Sequence, residues 1–122
     1  IVLFQVLEHI PYETFEAVLP KFAQTTRKYI IISLPYTTEC CFIRLQLSFL
    51  KRPRTLKLQI PRFWSHRPVT PDEHYWEIGL KGYPLRRIRN SLKQSGLVIK
   101  REYQDPLNPY HYFFVLEKMS NL

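Results

Sequence analysis

The strongest constraint on the fold is a strand–helix–strand pattern at the start of the chain. The apolar run Ile1–Phe4 suits a strand covered on both faces, and Tyr29–Leu34 (YIIISL) has the β-branched, apolar character of a second buried strand. Between them, Pro11, Glu13 and Glu16 are typical of a helix start. Apolar residues then recur at helical spacing through Gln24, namely Phe15, Val18, Leu19 and Phe22. Two strands joined by one helix predict a parallel pair within an α/β sheet.

Regular elements return in the last third of the chain. Pro84 occupies the first position of a predicted helix that Gly96 ends, and its apolar stripe consists of Leu85, Ile88 and Leu92. The runs Leu97–Tyr103 and Tyr110–Leu116 predict two strands, and the linking QDPLNP has the prolines and asparagine of a turn. Strands with so short a link are expected to be antiparallel. The sequence therefore predicts one α/β domain over residues 1–122, with a mixed sheet that starts parallel and closes with an antiparallel pair.

Residues 36–72 interrupt this pattern, and we interpret them as an insertion or lid over one end of the sheet. Thr37 or Thr38 can cap a helix, which we predict over Glu39–Leu50. Its apolar residues lie on most of the helix circumference, so such a helix needs cover on more than one side. The segment that follows, KRPRTLKLQIPRFWSHRPVTP, is rich in proline and basic residues and has little regular pattern.

The two cysteines indicate the redox state of the cellular compartment in which the protein is located. Cys40 and Cys41 are adjacent, and neighbouring cysteines rarely form a disulfide because the geometry strains the peptide between them. We therefore expect free thiols and a reducing, cytoplasmic location. No apolar run reaches the roughly 18–20 residues of a membrane span, so we expect no transmembrane segment.

The charge of the chain favours anionic partners. Its formal net charge is +8, and the stretch Arg44–Arg67 contains seven lysines or arginines and no acid. Near the end of this stretch, Phe63, Trp64 and His66 could stack on bases. The alternatives are contact with an anionic membrane surface or an ordinary solvated face. Of the anionic partners, we regard nucleic acid as the less favoured.

A resemblance to a known family rests on two stretches. FQVLEHIPYETFEAVLPKFAQTTRKYIIISLP resembles the fourth strand, following helix and fifth strand of class I S-adenosylmethionine-dependent methyltransferases. PLRRIRNSLKQSGLVIKREY and YHYFFVLEK resemble the last helix and closing antiparallel pair of the same family. The resemblance implies the C-terminal half of a Rossmann-like methyltransferase sheet and S-adenosylmethionine as cofactor. The family's glycine-rich turn has no counterpart among Gly79, Gly82 and Gly96, so we expect an inactive fragment whose cofactor site lies mostly elsewhere.

The resemblance also assigns roles to QVLEH. Gln5, Val6 and Leu7 would border the cofactor, and Glu8 would face the substrate. For the Glu8–His9 pair three interpretations stay open: a structural pair at the helix start, a site in which His9 is a general base, and a metal site. We expect no metal, because Gln5 stands where an E-x-x-E-H metal motif has its first acid.

A second polar cluster, HYWE, follows the insertion. In one interpretation, His74 is catalytic, and Trp76 and Glu77 contact the substrate. In the other, the segment is an aromatic anchor whose polar atoms are satisfied locally.

Two functions of different classes follow from these observations. The first is methyl transfer from S-adenosylmethionine to a small-molecule or lipid-like acceptor, with His9 or His74 as base. The second is a non-catalytic basic module that binds RNA or an anionic surface through Arg44–Arg67. We favour the enzyme, because the order of elements and QVLEHIP fit it together, whereas basic charge is common.

Overall fold

The structure, a computed structural model, describes residues 1–37, 41–49, 51–68 and 71–120. In chain order its elements are β1 (Val2–Phe4), a 3-10 turn (Leu7–His9), α1 (Tyr12–Thr25), β2 (Tyr29–Pro35), β3 (Cys41–Leu47), β4 (Arg54–Ile60), α2 (Leu85–Gln94), β5 (Leu97–Gln104) and β6 (His111–Lys118). The helices and strands predicted outside residues 36–72 are all present. Pro84 immediately precedes α2 and does not form its first turn, one position from the prediction.

The main sheet has four strands in the order β1-β2-β6-β5. β1 runs parallel to β2, with Val2 opposite Ile31 and Phe4 opposite Ser33. β6 runs antiparallel to both β2 and β5. The mixed α/β sheet with a parallel start and a closing antiparallel pair is therefore confirmed.

The prediction that the first strand is covered on both faces was wrong. β1 is an edge strand, and the side chains of Val2 and Phe4 are both more than half exposed. A short apolar run has the same appearance in sequence whether a neighbour covers it or not, so composition did not distinguish the two cases.

One face of the sheet forms the core. Residues of β2 lie opposite residues of β6 in three buried cross-strand pairs: Ile30 with Leu116, Ile32 with Phe114, and Leu34 with Tyr112. The helices pack on this face through buried side chains, namely Phe15 and Leu19 of α1 and Ile88 and Leu92 of α2. On the other face, Ile31, Phe113 and Val115 are only partly buried. The pattern is that of a sheet whose helices lie on one face.

The predicted helix Glu39–Leu50 was also wrong. Cys41–Leu47 is a strand, paired antiparallel with Arg54–Ile60 in a separate two-stranded hairpin. The ends of the predicted helix at positions 39, 40 and 50, together with Thr38, lie outside the described residues. Within the strand, apolar residues occur at every second position: Cys41, Ile43, Leu45 and Leu47. This period of two is the strand signal, and the additional Phe42 concealed it.

Candidate functional site

A strained turn ends β1 and begins the site. Gln5 has a φ of 50°, in the left-handed region that non-glycine residues rarely adopt. The turn is held to β2, since the Gln5 backbone N–H donates to the Ser33 carbonyl at 3.2 Å and to Ser33 Oγ at 3.1 Å. The Gln5 side chain is held too, because its amide Nε2 donates to the same Oγ at 3.3 Å. These hydrogen bonds therefore fix the direction in which the chain continues from the carboxyl end of β1 into the 3-10 turn.

Backbone hydrogen bonds place the HYWE segment beside this turn. The Tyr75 N–H donates to the Glu8 carbonyl at 2.9 Å, and the Ile78 N–H donates to the Pro35 carbonyl at 2.9 Å. Tyr36 and Ile78 form a parallel bridge just past the end of β2. The segment thus extends the pairing along the carboxyl ends of both parallel strands, where α/β sheets bind their ligands.

Glu8, His9 and His74 meet at this edge of the sheet. Glu8 Oε1 lies 3.8 Å from His9 Nε2 and 3.9 Å from His74 Nε2. The Glu8 side chain is fully buried and that of His74 nearly so, whereas the His9 side chain is 44% exposed. One ligand atom from each residue falls within 4.8 Å of the other two. Two motifs predicted separately therefore form one polar cluster.

The hydrogen bonds of the two imidazoles fix where their protons lie. His9 Nδ1 is 2.7 Å from the Glu73 carbonyl oxygen, which can only accept, so this nitrogen carries the proton. His74 Nδ1 is 2.9 Å from Glu77 Oε1, and a carboxylate also accepts. In their neutral forms, both rings therefore present an unprotonated Nε2 to the Glu8 carboxyl.

The burial of Glu8 has an electrostatic consequence. Burial raises the pKa of its carboxyl, and the residue's own backbone N–H, His74 and His9 oppose the rise only in part. Within the part of the chain that the structure describes, neither carboxyl oxygen has a hydrogen-bond partner with good geometry. The cluster thus holds a carboxyl whose charge is poorly compensated by the described protein groups, which is the usual mark of a functional site.

Tyr110 is a member of the site that the sequence did not single out. Its hydroxyl lies 3.4 Å from His74 Nδ1 and 3.5 Å from Glu77 Oε1. Burial, with the nearby charges of Glu77 and Glu8, raises the pKa of this phenol, so it stays protonated and can donate. In the sequence, Tyr110 is only the first residue of a strand-forming run, and nothing there links it to His74.

Trp76 occupies the core instead of the polar cluster. Its side chain is fully buried, and its indole Nε1 donates to the Ile10 carbonyl at 3.2 Å. Its ring packs against those of Tyr12 and Phe15, with centroids 5.0 and 4.9 Å away. This position matches the aromatic-anchor interpretation for Trp76, while His74 and Glu77 of the same segment lie in the cluster.

The remaining residues predicted to border the cofactor, Val6 and Leu7, lie between β1 and the cluster. Val6 is about half exposed beyond the turn at Gln5, and Leu7 is buried against the core. An open pocket of about 260 Å³ adjoins the cluster, lined by Pro71, Asp72, Glu73, His74 and Tyr75. The cofactor-lining and substrate-facing roles of these residues stay predictions.

The chain matches no protein-family model, and no curated protein matches its sequence.

Proposed function

We propose that the chain forms the acceptor side of an S-adenosylmethionine-dependent methyltransferase acting on a small-molecule or lipid-like acceptor. The observation that carries this proposal is the meeting of Gln5–His9 with His74–Glu77 at the carboxyl ends of β1 and β2. Ligands of open α/β sheets bind at such an edge. The order of elements and the antiparallel closing pair agree with the resemblance in QVLEHIP and YHYFFVLEK, and a Rossmann-like sheet is part of the proposal.

The residues at the edge suit different parts of such a reaction. When bound, S-adenosylmethionine supplies an electrophilic methyl group. The kinked backbone at Gln5 leaves Val6 exposed past the end of the strand, where an apolar side chain can border a ligand. The unprotonated Nε2 of His9 or His74 would take the proton that an acceptor hydroxyl or amine releases on methylation. The main contribution of these residues would be to orient the acceptor.

The test compares cofactor binding with turnover in the product of the complete reading frame. Calorimetry with S-adenosylhomocysteine should detect binding by that product. His74→Ala should keep this binding but lower turnover by about 10²–10⁴-fold, the usual contribution of a general base. His66→Ala removes an exposed histidine that does not belong to the cluster of Glu8, His9 and His74, and it serves as the matched control. Absence of S-adenosylhomocysteine binding by the folded product would refute the proposal.

We also propose a second candidate function, contact of the β3–β4 hairpin with an anionic lipid surface. The hairpin has two different faces, because Ile43 pairs with Leu58 and Leu45 with Leu56 on one side. All four of these aliphatic side chains are more than half exposed. On the other side Arg44 lies directly opposite Lys57. Like charges in such a pair are destabilising unless an anion compensates them.

The tip of the hairpin adds to this surface. Phe49 is 82% exposed, and the exposed basic residues Lys51, Arg52 and Arg54 follow it. An exposed aliphatic face with cations beside it suits the boundary between acyl chains and anionic headgroups. Nucleic acid would use the cations but not the aliphatic face, so we favour the lipid surface. No helix in the described part of the chain is long and apolar enough to cross a membrane.

Vesicle sedimentation tests the second candidate. The chain should bind vesicles that contain phosphatidylserine and leave those of pure phosphatidylcholine unbound, and binding should weaken as salt rises. Arg44→Glu with Lys57→Glu should abolish binding, and Leu45→Ser should weaken it. Lys21→Glu with Lys93→Glu makes the same change in net charge on the helices and should reduce binding much less. Preference for single-stranded RNA over these vesicles, or equal losses in the two double variants, would overturn this candidate.

A further inference from the structure

We propose that Glu8, His9 and His74 form a binding site for a divalent transition metal ion. The proposal does not rest on methyl transfer. Its first support is the convergence of one carboxylate oxygen and two imidazole nitrogens within 4.8 Å. Two histidines and one carboxylate are a common ligand set for zinc and iron.

The tautomers of the histidines suit metal binding. A metal-ligating imidazole usually donates its other N–H to a carbonyl or carboxylate, which orients the ring and makes the ligating nitrogen more basic. His9 does this through Nδ1 to the Glu73 carbonyl, and His74 through Nδ1 to the Glu77 carboxylate. Both Nε2 atoms are therefore left as electron-pair donors on the side of Glu8. Tyr110 adds an outer contact at 3.4 Å from His74 Nδ1.

The Glu8 carboxyl provides an independent argument. Its side chain is fully buried, and neither oxygen has a hydrogen-bond partner of good geometry among the described residues. The distances of 3.8 and 3.9 Å to the two Nε2 atoms are too long for direct hydrogen bonds. A carboxylate in this position lacks the compensation that buried charges normally require. A cation between the three side chains would supply it.

The spacing leaves room for an ion. Zinc bonds to nitrogen and oxygen are about 2.0–2.2 Å long, which places ligand atoms of a tetrahedral site roughly 3.4 Å apart. The distances from Glu8 Oε1 exceed this only slightly, so small side-chain rotations would bring the ligand atoms to bonding distance. The partly exposed His9 and the pocket beside His74 give access from solvent. Three protein ligands leave a coordination position open, as in catalytic zinc sites.

The ligand set also indicates which ions bind. Imidazole nitrogen favours zinc, cobalt and iron over magnesium and calcium, which prefer sites made entirely of oxygen. An ion bound here would occupy the Nε2 electron pairs of both histidines. Metal binding and the role of His9 or His74 as a general base therefore exclude each other, although methyl transfer itself is compatible with either.

Cobalt titration of the 122-residue chain, purified with a chelator and then dialysed free of it, tests the site. Cobalt(II) bound to nitrogen and oxygen ligands in a four- or five-coordinate site gives visible absorption bands, and Zn²⁺ should displace it and abolish them. His74→Ala, His9→Ala and Glu8→Gln should each weaken Zn²⁺ binding at least tenfold. His66→Ala and His111→Ala remove the other two histidines of the chain and should leave the affinity unchanged.

Three outcomes would overturn the site. The first is no displaceable cobalt spectrum at a one-to-one ratio of ion to chain. The second is retention of full Zn²⁺ affinity by Glu8→Gln, which is nearly isosteric, or by His9→Ala, whose side chain is partly exposed. The third is loss of affinity in the His66 or His111 variants, which would place the ion elsewhere. Because S-adenosylhomocysteine is absent from this experiment, its failure is distinct from failure of the methyltransferase proposal.

Discussion

The imidazole rings of His9 and His74 meet edge to face, with centroids 4.9 Å apart. The two residues belong to segments separated by α1, β2 and the hairpin. The backbone hydrogen bond from Tyr75 to Glu8 sets their approach, because it joins the two segments one residue away from each ring. The candidate chemistry therefore depends on a pairing of main-chain atoms as well as on the side chains.

The buried carboxyl of Glu8 is expected to reduce the stability of the metal-free chain. Glu8→Gln removes a buried charge for which the described residues offer no hydrogen-bond partner of good geometry, and it keeps the side-chain shape. The free energy of unfolding should therefore rise by about 1–3 kcal/mol. Urea unfolding at pH 7 with a chelator measures it. The exposed Glu13→Gln should change stability by less than about 0.5 kcal/mol. A less stable Glu8→Gln variant would mean that the carboxylate makes a favourable contact.

The two tryptophans form a matched pair for testing the core. Trp76→Phe loses the hydrogen bond to Ile10 and part of its packing against Tyr12 and Phe15, so it should lower the free energy of unfolding by about 1–3 kcal/mol. Trp64 is 57% exposed, and Trp64→Phe should cost less than about 0.5 kcal/mol. Chemical denaturation of both variants measures the difference. Similar losses would show that Trp76 is not the aromatic anchor.

Gly79 is expected to be the least replaceable glycine. It has a φ of 95°, and a Cβ atom there would lie 2.6 Å from Pro61 Cβ and 3.2 Å from Thr37 Cγ2. Gly82 has a similar φ of 90°, but apart from its chain neighbours no described residue has a heavy atom within 4 Å of the Cβ position. Gly82→Ala should therefore cost about 1–2 kcal/mol from backbone strain alone, and Gly79→Ala measurably more. Equal thermal shifts in the two variants would show that Pro61 moves away freely.

Stability should fall at alkaline pH because of Tyr12. Burial raises the pKa of its phenol, against smaller opposing effects of Ser91 and Arg87. Above pH 10, the usual pKa of tyrosine, the unfolded chain loses this proton while the folded chain retains it, so the folded state binds more protons. The free energy of unfolding contributed by this group is constant below pH 10 and declines as pH rises toward the folded pKa.

Unfolding between pH 8 and about pH 11.5 measures this decline, and Tyr12→Phe should make it shallower. The decline of the free energy of unfolding with pH that remains in Tyr12→Phe is expected from three other phenols whose pKa is raised, those of Tyr36, Tyr110 and Tyr112. An identical slope in Tyr12→Phe and the parent chain would contradict the prediction.

The sequence determined the elements whose signal is local. The apolar spacing in α1 and α2, the β-branched run of β2 and the turn residues between β5 and β6 each encode their own structure. The parallel start followed because strands joined by one helix have few alternatives. The β3–β4 hairpin was not predicted because both periods, that of a helix and that of a strand, fit a segment with so many apolar residues.

The candidate residues Glu8, His9, His74 and Glu77 were also chosen from the sequence, by chemical type and by position near a strand end or a loop. Only the tertiary structure showed that these four residues lie in one site. It also showed that Trp76 packs in the core and that Tyr110 contacts His74 in the site. These relationships depend on sheet register and on the path of a long connection. Such contacts join residues distant in the chain, and no local period encodes them.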